Sequence, residues 1–552
     1  MPEKNNQNQL AYLLGLILVL IFVVVFIWLF GTRLTLGFTD NAYHLAVAEG
    51  FSRAGGITTW DFWNSLPFGR PQNYPPLFHL ILADLLKIGF STEVALKLMM
   101  EIFVVGGLAL FAFGISKIYN WRVAFWSVLI LSVSVRFICA SVTIMPSSMV
   151  LFLSPLLFHL FMSKKWVSYI VLLILMLYLH LFVPLIILFS LALYSLLFER
   201  KMFLTGLKAS LIALALYSPW IIHIFLNGIK NIKYFDLTYP ILRYQTAPLI
   251  NIIFVSLFIV SLIFLIAKKK LIKVDYFFII LLGFFLVMAF LATERTLSGH
   301  LWVFIALFTA LFFDRFLGKI ATLPYLIFII FTFALYLMPG LIYDRGFYID
   351  FSQVTFTKII LGDAYSATSL EEESQKIFSD IKNNSKSGES IGTALSYFKG
   401  NTLDKGEYQS SVSMFLASNA NRPTINLYQP EYFYRPLPNL SKARLVLLNE
   451  RATNLTPQYF TDFGYSSQGA IELTKTIKEN FLLTSTYESN LWRFTENMDI
   501  EADLSKDVYL YKKNEGSVIK ETIPKFVFPF WLANSILVLF IGLLLFDNKK
   551  LK

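Results

Sequence analysis

Gly37-Phe38-Thr39-Asp40-Asn41-Ala42-Tyr43-His44, closely followed by Ala48-Glu49-Gly50, opens a polar segment in an otherwise largely apolar chain. The same segment, Arg33 to Phe90, continues through Thr59-Trp60-Asp61-Phe62-Trp63 to Gly69-Arg70-Pro71-Gln72-Asn73-Tyr74-Pro75-Pro76-Leu77-Phe78-His79. Acids, histidines, arginines, prolines and tryptophans crowd together here as almost nowhere else in the first 340 residues.

On either side of it lie apolar runs. The one before it, at 10–30, is too long for a signal-peptide core and lacks a small-residue cleavage pattern, so it reads as a retained helix with a cytoplasmic N-terminal flank. After it come runs at about 94–116, 122–139, 142–162, 166–183, 185–198, 208–226, 247–267, 274–292, 297–313 and 321–339, with another at 526–546, each near the length of a bilayer span. The division around Tyr178-Leu179-His180 and Pro184 is open. With twelve spans the basic residues fall on one side: Lys117 and Arg122, Lys164-Lys165, Arg200-Lys201, Lys268 to Lys273, Arg315 and Lys319, and Lys549-Lys550-Leu551-Lys552. Positive loops face the cytoplasm. The expected fold is therefore an α-helical polytopic plasma-membrane protein of about 12 transmembrane helices, with both termini cytoplasmic.

Composition agrees with that expectation. Of 552 residues 56% are hydrophobic and 15% charged, and the mean hydropathy is +0.62, which suits a membrane protein and not a soluble enzyme. A single Cys excludes a disulfide framework and a multi-cysteine metal site. The net charge of +11 sits mainly between apolar runs, so it gives no reason to expect a nucleic-acid partner.

Residues 340–524 differ in character. Asn, Ser, Thr, Lys and Glu rise, Glu371–Lys386 has the pattern of an amphipathic helix, and short β-rich runs follow at Arg444–Leu448, Phe481–Thr486, Leu491–Thr495 and Val508–Lys512, the last two joined with hairpin character. The expected organisation is a transmembrane domain at 1–339 carrying a catalytic first outer loop at 31–92, an extracytoplasmic mixed α/β domain at 340–524, and a C-terminal helix with a basic tail at 525–552.

Chemistry is expected to start in the first outer loop. Asp40, Tyr43 and His44 directly follow a span and so lie near the headgroup of a lipid substrate. If Asn41 to Phe51 is helical, Asp40 and His44 share a face. A carboxylate at a low-dielectric edge has a raised proton affinity and can act as a base toward a hydroxyl; it can equally hold a divalent metal, Mg2+ or Mn2+. Asp is also a favoured helix N-cap, and that plainer role for Asp40 stays open. His44 reads either as a catalytic partner or as a structural hydrogen-bonding group, and Glu49 as a substrate contact or a solvated helix face. Trp60 and Trp63 suit interfacial anchoring, which does not call for Asp61 between them. Arg70 and Tyr74 precede a helix started by Pro75-Pro76, with His79 inside it; a guanidinium there suits a phosphate, or simply snorkels to the interface. On the same face, Glu294 and Arg295 lie between two spans, and Arg136 interrupts an apolar run, which calls for a partner or an aqueous cavity.

Asp40-Asn41-Ala42-Tyr43-His44 with Ala48-Glu49-Gly50, and Asn73-Tyr74-Pro75-Pro76-Leu77-Phe78-His79 before the next span, resemble the first external loop of the GT-C superfamily of membrane glycosyltransferases, most nearly the catalytic subunit of oligosaccharyltransferase and its relatives. The resemblance implies a polyprenyl-phosphate or pyrophosphate sugar donor, and an Asp40 that binds the catalytic metal or acts at the acceptor. The chain departs from those relatives in two places. The loop Cys139 to Pro146 has no acid, and no tryptophan-tryptophan-aspartate signature occurs between 340 and 524. A transferase of a single sugar, with Mg2+ or Mn2+ or with no metal, fits those departures. Its acceptor would be a hydroxyl on a glycan, a lipid or a protein, and its other partners the membrane lipids. The competing readings are a protein-modifying, oligosaccharyltransferase-like enzyme, a lipid-linked sugar transporter, and a membrane scaffold.

Overall fold

A computed structural model describes residues 3–36, 39–63, 70–133, 145–227, 249–291, 300–317 and 523–547, together with shorter pieces between 379 and 513 that are chiefly strands. Its first elements are helix α1 (Glu3–Leu36) and helix α2 (Thr39–Ala54). Three two-residue strands follow, β1 (Gly56–Ile57), β2 (Trp60–Asp61) and β3 (Arg70–Pro71). Helix α3 (Leu77–Ile88) starts after Pro75-Pro76 and stops at Gly89, whose φ of 106° is open to glycine and strained for other residues.

The next helix is continuous from α4 (Thr92–Met100) through a π-helical turn at Glu101–Val105 into α5 (Gly106–Ile118). Ser91 caps it, accepting from the Val94 N–H at 3.4 Å. Helices α6 (Trp121–Val133), α7 (Met145–Met162), α8 (Trp166–Leu179), α9 (Phe182–Phe198) and α10 (Arg200–Asn227) come next. They are followed by α11 (Leu249–Ala267), α12 (Asp275–Leu291) and α13 (Leu301–Phe312), the last running into a π-helical turn at Phe313–Leu317.

Among the described residues three helices, Val94–Ile118, Met145–Met162 and Arg200–Leu226, are long and apolar enough to cross a membrane, and seven shorter apolar helices accompany them. The protein is thus a multi-pass helical membrane protein. The apolar run at 321–339, on which a count of twelve depends, lies outside the described residues. The division near Tyr178 falls at His180 and Leu181, and Pro184 enters α9 within its first turn, where its missing N–H has no partner to lose.

Side-chain contacts sort the bundle into two ends. At one end Arg315 grips Asp275 with two bonds (2.6 and 3.0 Å), the Tyr119 hydroxyl donates to the same carboxylate at 2.7 Å, and the Ile272 N–H adds a fourth bond at 2.8 Å. Lys273 pairs with Glu199 at 2.8 Å and Arg122 with Asp314 at 3.7 Å, so the basic loops meet here. At the other end His300 bonds Ser147 (3.2 Å), and the polar segment between α1 and α4 covers α8 and α10.

Helices α5 and α7 pack closely because glycines let them. A Cβ on Gly114 would lie 2.6 Å from the Leu156 backbone nitrogen, and one on Gly107 2.5 Å from the Phe152 ring. The neighbour at Gly114 is backbone and cannot swing aside, so Gly114→Val is expected to cost about 3 kcal/mol, the upper end of overpacking. Gly106→Ala, where a Cβ meets open space, is the control. Thermal unfolding in detergent checks both, and equal shifts would contradict this account of the α5–α7 contact.

The pieces between 379 and 513 carry a five-stranded sheet of β4 (Ile391–Ala394), β5 (Thr424–Asn426), β6 (Leu445–Asn449), β7 (Phe481–Glu488) and β8 (Asp507–Lys513), in the order β5-β4-β6-β8-β7. Strand β4 runs parallel to β5 and β6, and β8 runs antiparallel to β6 and β7. Three β-rich runs of the sequence are therefore strands. The pairing differs from expectation: the antiparallel partners of β8 are β7 and β6, which fill both its edges, while Leu491–Thr495 lies outside the described residues. Of the helix expected at Glu371–Lys386, residues 379–384 are described and helical.

Last come β9 (Phe528–Pro529) and helix α14 (Phe530–Asp547). Strand β9 pairs with β1, Asn534 donates to Asp84 of α3 at 3.1 Å, and the Lys87 ammonium lies 4.9 Å from the Phe530 ring centre. The C-terminal helix thus buttresses the polar segment.

Candidate functional site

Helix α2 begins three residues after α1 ends, which puts Asp40 in its first turn. One turn on, Tyr43 and His44 point into a packed group of rings. His44 Nδ1 and His79 Nε2 are 2.8 Å apart and both rings are buried, so one nitrogen carries the proton and the other accepts it. Tyr74 closes the group, with ring centres 5.0 Å from His44, 5.6 Å from His79, 6.3 Å from Tyr43 and 5.8 Å from His180 at the α8–α9 turn. A buried imidazole pair of this kind fixes α2 against α3, and through α2 it fixes the backbone that carries Asp40.

Burial, and after it the neighbouring His44, hold His79 well below the ordinary imidazole value of 6.5, with the Pro75 carbonyl offsetting part of the shift. The unfolded chain therefore takes up a proton near pH 6.5 that the folded protein refuses until lower pH. Stability is expected to be level above about pH 6.5 and to fall below it, with a slope approaching 1.4 kcal/mol per pH unit, about one proton's worth. Thermal unfolding across this range checks the sign. His79→Gln should flatten the profile; an equal slope in the variant would assign the proton elsewhere.

Asp61 and Arg70 are brought together by the short ladder of β2 and β3, in which they are directly opposed. Asp61 is buried. The ladder is extended by the Gln72 N–H, which donates to the Thr59 carbonyl at 2.9 Å. Glu49 bonds Arg53 one turn along α2 (3.3 Å), and burial raises the pKa of its carboxyl, with Arg53 opposing that rise. The Arg53 guanidinium also stacks over Trp63 (5.0 Å) and donates to Asn421 at 2.6 Å, while the Thr424 N–H donates to the Trp63 carbonyl at 3.1 Å. Arg53 and Trp63 thus form a joint that ties the sheet-bearing segment to α2. Arg136, Glu294 and Arg295 lie outside the described residues.

By residue type alone, Gln72, Arg53, His180 and His223 do not stand out in the sequence. The signal available was scarcity: the chain has six histidines, and four of them, His44, His79, His180 and His223, meet this one segment. Among the described residues no group of three His, Cys, Asp or Glu side chains is placed to hold a metal ion, and His44 and His79 spend their facing nitrogens on each other.

No family model and no curated protein matches the chain. Its fold is similar to that of ArnT from Cupriavidus metallidurans, known from a crystal structure bound to undecaprenyl phosphate: the TM-score is 0.52 at 10% identity, over 92% of this chain and 99% of that one. This is a likeness of fold along nearly the whole of both chains.

Proposed function

We propose that the protein is a membrane glycosyltransferase that moves a sugar from a polyprenyl-phosphate or pyrophosphate donor to a hydroxyl acceptor, with inversion at the anomeric carbon. The observation that carries the reading is Asp40 in the first turn of α2, directly after α1, in a fold similar to that of a protein solved with undecaprenyl phosphate.

In this reading Asp40 takes the proton of the acceptor hydroxyl as its oxygen bonds to the anomeric carbon. The bond from that carbon to the donor phosphate oxygen breaks, and the growing negative charge on the phosphate is met by Arg70 and Arg295. Tyr43, Tyr74 and Glu294 would line the substrate path, with Arg136 beside it. His44 and His79 hold α2 in place. Asp40 acts as a base in this form; Asp40 as a ligand to Mg2+ or Mn2+ is the alternative form. The basic end of the bundle is placed in the cytoplasm and the histidine-bearing end outside. The sheet then belongs to an extracytoplasmic α/β domain at 340–524. The joint of Arg53 and Trp63 to Asn421 and Thr424 favours a second form, in which that domain presents a protein acceptor.

The test is turnover of a panel of polyprenyl-phosphate and pyrophosphate sugars by protein reconstituted in lipid, with added Mg2+ or Mn2+ and with a chelator. Release of the bare lipid phosphate is expected with at least one donor, and its response to the chelator chooses between base and ligand. Donors that all remain intact would move the reading to a transporter.

A further inference from the structure

Gln72 is held by three of its four polar groups, each to a different part of the chain. Its N–H donates to the Thr59 carbonyl at 2.9 Å, its carbonyl lies 3.0 Å from His223 Nε2 of α10, and its side-chain Oε1 accepts from the Tyr43 hydroxyl of α2 at 3.2 Å. The fourth group, Nε2, is buried and without a hydrogen-bond partner among the described residues, in a residue only 1% exposed. The next residue, Asn73, has a buried Oδ1 that likewise lacks a partner among them.

A buried amide left half-bonded destabilises the fold, and such groups are rare enough to call for a reason. The other three bonds supply one: they fix the direction of Nε2 in advance, as a binding group requires. They also fix its place. Tyr43 follows Asp40 by three residues in α2, so the bare donor is anchored to the helix whose first turn holds the residue taken as the base.

Resting on the transferase reading above, we propose that Gln72, with Asn73, recognises hydroxyl groups of the transferred sugar. The chemistry discriminates between ligands. A bare N–H needs an acceptor and a bare amide oxygen needs a donor; a sugar offers both through its hydroxyls, whereas a phosphate dianion accepts only and would be repelled by Asn73 Oδ1. The neighbouring His79 is held neutral and adds no positive charge for a phosphate. Arg70, two residues earlier, is the phosphate-seeking group of this segment.

The experiment measures binding of water-soluble methyl glycosides, and separately of inorganic phosphate, to the full chain in lipid nanodiscs by ligand-observed NMR, for the wild type and Gln72→Met. Turnover of lipid-linked donors and thermal stability are followed on the same samples. The expected result is saturable glycoside binding, weakened about tenfold or more in Gln72→Met as for the loss of a buried hydrogen bond, with the variant melting within a few degrees of the wild type. Deoxy glycosides lacking the contacted hydroxyl should bind the two proteins alike.

Equal glycoside binding by both proteins, phosphate binding that depends on Gln72, or no glycoside binding at all would overturn the inference. So would a collapse of thermal stability in Gln72→Met that Gln72→Asn does not share, since the amide would then be structural. Donor turnover unaffected by Gln72→Met would overturn the sugar role while leaving the transferase reading intact. Gln72-dependent glycoside binding without any turnover would support the sugar site and remove the transferase reading.

Discussion

Arg315→Ala is expected to cost about 3–5 kcal/mol of stability, through a carboxylate left buried without its counter-charge. Asp275 is fully buried at the start of α12 and is served by both Arg315 nitrogens, the Tyr119 hydroxyl and the Ile272 N–H. The same Arg315 nitrogen that bonds Asp275 at 2.6 Å also donates to the Lys270 carbonyl at 2.7 Å, so one side chain ties the turn after α13 to the α11–α12 loop and to α12 itself. Removing it leaves the acid with neutral donors only, in surroundings of low dielectric where a lone charge is most unfavourable. Arg315→Lys keeps the charge but not the two-pronged geometry and should lie between wild type and alanine. Tyr119→Phe removes one hydrogen bond and should cost about 1–2 kcal/mol. Denaturant or thermal unfolding in a single detergent ranks the three. An Arg315→Ala variant as stable as Arg200→Ala, whose guanidinium makes an exposed bond to the Leu196 carbonyl, would show that the basic end is not held by this network.

The sequence announced this end of the bundle only as charge. Lys268 to Lys273 and Arg315 were legible as flanks of apolar runs, because the cost of charge in a bilayer keeps such residues at span ends. Which of them would pair was not legible, since Asp275 and Arg315 lie 40 positions apart and meet only through helix packing.

The helices were legible for the same reason: an apolar run of span length has few alternatives to a helix. Their ends were less so. His180 breaks α8 from α9 in the middle of continuous apolar sequence, and Pro184, the obvious breaker, is tolerated inside the first turn of α9. In the sheet, alternation marked β6, β7 and β8 to within one or two residues, whereas pairing depends on contacts across long loops and was misread for β8. At the site, Asp40, His44, Asp61, Arg70, Tyr74 and His79 stood out by residue type, and the structure joins His44 to His79 and opposes Asp61 to Arg70. Gln72 gave no such sign. An amide is ordinary in a polar loop, and what sets this one apart is three bonds to distant elements and one group left bare.

Asp40→Asn carries the largest expected effect on activity. Asparagine has the size of aspartate and is as good a residue at the start of a helix, so α2, the His44–His79 pair and the Tyr43–Gln72 bond should persist, and thermal stability should change by less than about 0.5 kcal/mol. Its amide cannot take up the acceptor proton. Loss of a general base lowers the rate of such reactions about 10²–10⁴-fold, and the loss should fall on kcat with little change in KM, because the interaction is made in the transition state. If Asp40 instead only begins the helix, activity and stability should both survive the substitution.

The most direct measurement is therefore the rate of sugar loss from a polyprenyl-phosphate donor by wild-type and Asp40→Asn protein reconstituted side by side, with their thermal stabilities taken on the same preparations. The account predicts turnover by the wild type and a fall of at least about 100-fold in an equally stable variant. Equal rates in the two proteins would contradict it.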